Sequence, residues 1–331
     1  MSNLERNPAE SVCGSDSPDG PTVDLLSGRL VPLSARRPLQ GTADGSQQAR
    51  DETIVNRMLP QRHRRMIGAW CFVDHYGPDD ISATSGMQVA PHPHSGLQTV
   101  SWLYEGAVHH QDSIGSDQLI DPGGLGLMTA GRAISHSEAS PDQRPAMLHG
   151  MQLWVALPDA SRSGEPGWEY HEELPGGSFG DAQVRVLLGA LGDVESPATT
   201  HTPILGAEVR LDGESALPLR SDFEYGIVVA TGSVEIEGTT VEPGSLAYLG
   251  RGRTELAVAG EAVFLLLGGE PFEEELVMWW NFIGRSHAEI ESMRKAWSEG
   301  SDYGVVDSFD GYRIPAPPIP DVSLRPRGRR G

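Results

Sequence analysis

Short apolar runs separated by turn residues fill most of this chain. Six runs of β-branched, aromatic and other apolar residues stand out, at residues 97–104, 151–157, 184–188, 225–230, 234–237 and 262–267. Each run is bounded by Gly, Pro or charged residues, which is typical of β-strands. No apolar heptad persists, and the 331 residues include 40 Gly and 25 Pro. The pattern predicts an all-β protein rather than a helical bundle.

One segment near the C-terminal end has helical periodicity instead. Ser286 and Glu289 have the spacing of a capping box, in which each side chain can bond the backbone of the other. Ile290 and Trp297 then recur at helical spacing and share one apolar face with Met293. Because Gly at position 300 is suited to end a helix, we predict a short packing helix over residues 286–300.

An internal repeat divides the chain into two β units. Residues 91–106 align without a gap with residues 217–232, and both segments are a turn followed by an apolar run that ends in Gly. Downstream, the pattern Pro-Gly-x-Leu-x5-Gly-Arg begins at residue 122 and again at residue 243 with equal spacing. Two tandem copies of one β unit are the simplest explanation.

The first copy carries a set of residues suited to a metal. His92 and His94 form an H-x-H pair, and His136 and Glu138 form an H-x-E pair. Side chains two apart on a strand share a face, so two such strands facing each other would bring three nitrogens and one oxygen together. This donor set suits Fe, Mn, Ni, Cu or Zn. Two coordination positions would remain for water, O2 or a chelating substrate.

The second copy lacks all four of these residues. Each block aligns without a gap, and the first copy is five residues longer between the blocks. His92 then corresponds to Pro218, His94 to Arg220, His136 to Ala257 and Glu138 to Ala259. We therefore expect one metal-binding unit and one metal-free unit. His109 and His110 are adjacent, so one of them can point toward the metal-binding residues.

Composition narrows the class of partner and the compartment. The formal net charge of −21 argues against direct nucleic-acid binding, which needs a basic face. Only two cysteines occur, and Cys13 lies in a polar segment, so we predict no structural disulfide. No apolar run reaches the length of a membrane span, and the first 20 residues lack an apolar signal core. We expect a cytoplasmic protein that does not bind membranes.

Several strings around the predicted ligands closely resemble the pirin family. They are PHPHSGLQTV at 91–100, YEG at 104–106, QDSIG at 111–115 and MTAGRAISHSE at 128–138. The family's first domain is also resembled at residues 64–68, 72–78 and 152–158, and looser similarity is found at residues 267–272 and 280–283. The resemblance implies a bicupin, meaning two tandem jelly-roll antiparallel β-barrels in one chain, with a short C-terminal helix.

The resemblance also implies where the parts of the protein lie. We expect a disordered tail at 1–25, an N-terminal metal-binding cupin barrel at 26–165 and a metal-free cupin barrel at 166–285. The packing helix at 286–300 and a Pro/Arg-rich tail at 301–331 would follow. One divalent metal would be held by His92, His94, His136 and Glu138. Iron is the usual metal of the family, and Ni, Mn, Co, Cu or Zn would suit the same ligands.

Pirin-like proteins suggest two functions for such a site. Some bacterial members are similar to quercetin 2,3-dioxygenases, so the chain is expected to act on a flavonol or another enol with O2, with Glu138 as the catalytic base. The alternative is a non-enzymatic, metal- or redox-responsive regulator that binds a protein partner. A third alternative is a scaffold protein in which the bound metal has no role in function. Gln98 replaces the Glu usual in the family, which puts a general base at that position in doubt.

Overall fold

The computed structural model describes residues 23–33, 53–309 and 311–328, and strands dominate these residues. The first half contains β1 (Val23–Ser27), β2 (Arg29–Leu33), β3 (Thr53–Leu59), β4 (Trp70–Asp80), β5 (Gln88–His94), β6 (Leu97–Glu105), β7 (Val108–Asp112), β8 (Asp117–Ile120), β9 (Leu125–Thr129), β10 (Ile134–Ala139), β11 (Met147–Ala156) and β12 (Gly167–His171). The prediction of an all-β protein is confirmed.

The second half continues in the same way and ends in a helix. It contains β13 (Gly176–Phe179), β14 (Ala182–Leu191), β15 (Val194–Glu195), β16 (Ile204–Pro218), β17 (Glu224–Ile236), β18 (Thr239–Val241), β19 (Ser245–Leu249), β20 (Glu255–Gly269), β21 (Val277–Trp279), β22 (Phe282–Gly284) and α1 (His287–Glu299). No helix in the described part of the chain combines the length and the apolar character needed to cross a membrane.

Two antiparallel sheets face each other in the first domain. One has the strand order β12-β9-β6-β11-β4-β3-β2, and the other has the order β5-β10-β7-β8. The second domain is built on one nine-stranded sheet whose main path is β1-β19-β17-β20-β16-β14-β13. Strand pairing does not close either domain into a complete ring, but both have the cupin fold. The predicted pair of tandem cupin units is therefore confirmed.

The first described strand does not belong to the first domain. Strand β1 pairs along its whole length with β19 of the second domain, for example Leu26 with Leu246. Strand β2 follows after Gly28 and pairs with β3 of the first domain. Residues 23–33 thus connect the two domains. Most of the tail predicted at 1–25 lies outside the described residues, and its last three residues begin β1.

The largest apolar cluster lies between the two domains. Trp70, Trp102 and Leu153 of the first domain belong to the same buried cluster as Val228 and Leu265 of the second. Two indole groups also bond across this boundary. Trp70 Nε1 donates to the Leu205 carbonyl over 3.0 Å, and Trp102 Nε1 donates to Glu208 Oε2 over 2.9 Å. Burial of each large apolar side chain contributes about 2 kcal/mol, so this shared core joins the domains firmly.

The C-terminal helix forms as its sequence predicts. Ser286 caps it by accepting a hydrogen bond from the Glu289 amide, and Gly300 ends it in the left-handed conformation at φ 77°. Ile290 and Trp297 are buried. The chain then returns to the first domain without regular structure, and the Ile314 amide donates to the Pro91 carbonyl over 2.8 Å.

Candidate metal centre

Three of the four predicted ligands come together inside the first domain. His92 and His94 lie on β5, and His136 lies on β10 as the register partner of His92. The ring centroids are 4.4 to 5.1 Å apart, and one nitrogen from each imidazole lies within 4.8 Å of the others. All three side chains are fully buried. The alternation of side chains along paired strands therefore brings the three imidazoles to one point.

Glu138 lies beside this group rather than within it. The strand pairing of β10 with β5 is irregular between His136 and Glu138. The carboxylate is 1% exposed, and its Oε1 lies 3.4 Å from the Ser101 hydroxyl. Its charge acts on His92, where it raises the imidazole pKa against the larger effect of burial. Glu138 is therefore close to the three imidazoles, and its role as a fourth ligand stays a prediction.

Burial keeps the three imidazoles neutral. Desolvation lowers the pKa of His92 to about 4, and it lowers the pKa of His94 and of His136 well below the usual value. Each imidazole also disfavours a proton on its neighbours. A neutral imidazole presents a lone pair, which is the form that binds a metal.

A chain of side chains sets the orientation of His136. Its Nδ1 lies 3.3 Å from Nδ1 of His110, whose Nε2 lies 3.1 Å from Asp112 Oδ2. The other carboxylate oxygen of Asp112 accepts the amide protons of Ile114 and Ser116. Because the Asp112 carboxylate accepts a hydrogen bond from His110 Nε2–H, His110 Nδ1 is the acceptor for His136 Nδ1–H. This order leaves His136 Nε2 as the nitrogen with a lone pair.

Backbone groups act in the same way on the other two imidazoles. His92 Nδ1 donates to the Ala90 carbonyl over 2.8 Å. The backbone of Asn281, in the β21–β22 turn, forms a hydrogen bond that raises the pKa of His94 against the larger effect of burial. Partners of this kind fix the tautomer and the ring plane of a metal-binding His.

The residues present fit a divalent transition metal. His136 Nε2 is buried and has no hydrogen-bond partner among the described residues. A buried lone pair without a donor is unfavourable unless something else satisfies it. Three neutral imidazole nitrogens beside a carboxylate suit Fe, Ni, Cu, Zn or Mn. The donor set thus supports one metal without choosing among these ions.

The structure separates the two neighbouring histidines. His110 is buried and stacks on Trp168, with ring centroids 3.7 Å apart and planes 8° from parallel. His109 points the other way and pairs with the exposed carboxylate of Asp117. The expectation that one of the two faces the metal-binding residues is therefore met by His110, which contacts a ligand.

Gln98 does not lie at the centre. Ser101 on the same strand reaches Glu138, and a residue three positions away on a strand faces the opposite side. The Gln98 amide donates to Thr129 Oγ1 and to the Thr199 carbonyl, which lies in the segment between β15 and β16 of the second domain. Gln98 thus anchors that segment, and its replacement of a carboxylate does not remove a base from the centre.

The second domain has an apolar interior where the first has its histidines. Leu217 pairs with Leu256, just as His92 pairs with His136. Leu219 and Val258, two residues further along the chain, also pack in the apolar core of the second domain. The residues matched by the alignment, such as Ala257 and Arg220, are exposed instead. The loop before β20 is one residue shorter than the equal spacing of the two copies implies. A shift of one residue along a strand turns each side chain to the opposite face of the sheet, so Leu256 rather than Ala257 faces the interior.

Sequence reasoning missed several residues around the centre. They are His110 as a partner of His136, and Ser101, Asp112 and Gln152. Asp112 lies in the QDSIG string that carries the family resemblance, so a signal was present. Ser101 and Gln152 lie within apolar strands, and only the pairing of β6 with β11 reveals that they meet.

Two cupin domains in one chain define a bicupin, and the cluster of histidines found among the described residues gives its first domain a candidate metal centre. Family models describe the same division. The model for Pirin matches residues 52–155, and the model for the Pirin C-terminal cupin domain matches residues 205–302. The chain belongs to the pirin family.

Individual relatives cover nearly the whole chain. The "Putative quercetin 2,3-dioxygenase PA1205" of Pseudomonas aeruginosa is 43% identical over 90% of this chain and 96% of its own length. A pirin-like protein of Caulobacter vibrioides is 33% identical over 80% of this chain and 94% of its own. The crystal structure of a quercetin 2,3-dioxygenase from Acinetobacter baumannii superimposes with a TM-score of 0.83 at 36% identity, over 92% of this chain and 97% of that one.

Proposed function

We propose that this chain is a metal-dependent dioxygenase that acts on flavonols of the quercetin type or on other enols, with iron as its metal. The observation that carries the proposal is the convergence of three neutral, buried imidazoles, of which His92 and His136 have their Nδ1 atoms turned toward hydrogen-bond partners. The names of the relatives from Pseudomonas and Acinetobacter support the choice of reaction.

His92, His94 and His136 would hold the metal, and Glu138 would be a fourth ligand or its neighbour. The metal supplies Lewis acidity, which favours the deprotonated form of an enol hydroxyl. Glu138 is the buried carboxylate nearest this position and would accept the hydroxyl proton. The Ser101 hydroxyl lies 3.4 Å from its Oε1.

Metal content tests the site directly. Protein purified without oxygen or chelators, and reconstituted with Fe(II), should hold about one transition-metal ion per chain. His136→Ala should lose that ion, whereas His109→Ala should retain it because His109 points away from the centre. If both variants keep the metal, or if wild type binds none, the proposed site is wrong.

Turnover tests the reaction. The loaded wild type should consume O2 in the presence of quercetin, and Glu138→Ala should lose most of this activity while its metal content is measured in parallel. Loaded wild type that binds one metal but leaves a panel of flavonols and other enols unchanged would contradict the dioxygenase.

A second candidate is a metal- or redox-responsive regulator with a protein partner. It is favoured by the contact of the C-terminal segment with Ser95 and Ser135, which neighbour two of the ligands. A change at the metal would reach an outer surface through this contact. In this case Glu138→Ala should retain partner binding but alter its dependence on oxidation.

We also propose that the protein is a monomer and that it is located in the cytoplasm.

A further inference from the structure

One inner wall of the first domain is formed by alternate residues of β11. Gln152 and Trp154 lie two positions apart and therefore share a face. Their exposed fractions are 2% and 0%. Their register partners on β6 are Ser101 and Thr99, which are also buried.

Direct contacts place this wall against the histidine cluster. The Trp154 ring meets the His94 ring almost at a right angle, with centroids 5.1 Å apart, and it stacks on Phe72 at 4.1 Å. Gln152 Oε1 lies 2.9 Å from the Ser101 hydroxyl, which lies 3.4 Å from Glu138 Oε1. The wall therefore extends from His94 at one end to Glu138 at the other.

Two N–H groups of this wall have no acceptor among the described residues. They are Nε1 of Trp154 and Nε2 of Gln152, and both atoms are buried. Nine in ten or more buried polar groups are satisfied in native proteins, so two such donors side by side need an explanation. An indole N–H can only donate. The Ser101 hydroxyl meets the Gln152 amide at Oε1, over 2.9 Å, and forms no hydrogen bond with Nε2.

We propose that Trp154 and Gln152 form a donor wall that binds the acceptor oxygens of an anionic, planar ligand in this domain. Enolates and deprotonated hydroxyketones have this chemistry, whereas amines and hydrocarbons do not. The choice of a flavonol as the ligand rests on the proposed function, but the donor wall itself is defined by the unsatisfied N–H groups.

Anaerobic binding to the nickel(II)-loaded protein tests this wall without turnover. The probes are 3-hydroxyflavone, tropolone and flavone, which lacks the ionisable hydroxyl. Binding is followed by calorimetry and by the absorption of the deprotonated probes. Trp154→Phe keeps the ring and removes the N–H, and Gln152→Met keeps the length of the side chain. Gln98→Met is the matched control, because Gln98 lies on the opposite face of the same sheet and contacts Thr129.

Trp154→Phe and Gln152→Met should each weaken 3-hydroxyflavone and tropolone binding by about 10- to 100-fold, as expected for a lost hydrogen bond to a charged group. Flavone binding should not change, and Gln98→Met should bind all three probes as wild type does. Wild-type affinity in both wall variants would overturn the proposal. So would failure of loaded wild type to bind either ionisable probe.

Metal content, measured on every sample, separates two roles for the wall. A loss of affinity that follows a loss of nickel would mean that the residues support the metal, which would also overturn the proposal. The proposed dioxygenase fails independently, if the wild type binds 3-hydroxyflavone through the wall but does not consume O2 with it.

Discussion

The Asp112 carboxylate acts on His136, a predicted metal ligand, through the side chain of His110. The carboxylate accepts from His110, and His110 accepts from His136. In Asp112→Asn the amide would donate to His110, and the proton order along the chain would reverse. The proton of His136 would then move to Nε2, the nitrogen needed for the metal.

Asp112→Asn should therefore lower metal affinity by about 10- to 100-fold while leaving the fold intact. Competition with a calibrated chelator measures the affinity. Asp117→Asn is the matched control, since Asp117 pairs with the exposed His109 on the other face of β7. Equal affinities of the two variants would contradict the role given to Asp112.

The pair of His75 and His149 makes stability depend on pH. Their Nε2 atoms are 2.8 Å apart, and burial together with His149 lowers the pKa of His75 to about 4. An unfolded chain takes up a proton at His75 near pH 6.5, but the folded chain does not until about pH 4. The stability contributed by neutral His75 is complete above pH 6.5 and is lost as pH falls toward 4.

His75→Gln should flatten the fall of unfolding free energy between pH 6.5 and pH 4, by about 3 kcal/mol at most. Urea unfolding of metal-free protein at several pH values measures this slope. His63→Gln, at an exposed position, serves as the control. A slope that is as steep in His75→Gln as in wild type would contradict this assignment.

At the scale of the element, the segment after α1 supports the two strands that carry the histidines. Tyr303 hydroxyl and Ser95 Oγ lie 2.9 Å apart, and Ser135 Oγ donates to the Tyr303 carbonyl over 3.0 Å. Ser95 follows His94, and Ser135 precedes His136. The segment thus holds the outer side of β5 and β10 while their inner side presents the imidazoles.

Tyr303→Phe should lower the free energy of unfolding by about 1–2 kcal/mol, because it removes this bond and leaves the buried Ser95 hydroxyl unsatisfied. It should also speed hydrogen exchange at amides of β5 and β10. Val305→Ala changes an exposed side chain of the same segment and should change neither property. Unchanged exchange in Tyr303→Phe would show that the segment does not support these strands.

Elements were easier to predict than the direction of their side chains. The strands and α1 can be predicted from local apolar runs and from the residues that cap the helix. Each H-x-H or H-x-E pair lies on one face of its strand, whichever of the two faces is buried. The second copy was different, because matching it to the first depends on loop length. One missing residue before β20 turned Ala257 outward and Leu256 inward. Gln98 shows the same limit, since its sequence does not reveal which face of β6 is inside.

At the scale of the whole molecule, the two domains share their largest core. Leu265 of β20 lies in the cluster that also holds Trp70 and Trp102 of the first domain. A cavity there weakens both domains, although the metal-binding residues belong to only one of them.

Leu265→Ala should lower the free energy of unfolding by about 2–5 kcal/mol. In the loaded protein, metal release and loss of secondary structure should shift together to lower urea concentration. Circular dichroism and a metal-sensitive dye follow the two events in one titration. Leu30→Ala, at a position 72% exposed, is the control. Metal release at the wild-type midpoint, with only part of the secondary structure lost earlier, would show two independent units.

The crossing of residues 23–33 between the domains restricts how this protein can be divided. A recombinant second half that begins near residue 166 would lack β1 and would expose the backbone edge of β19. Exposed edges of this kind recruit strands from other chains, so such a fragment is expected to aggregate. Any exchange of one half for another must carry residues 23–27 along with the second half, although these residues precede the first domain in the sequence.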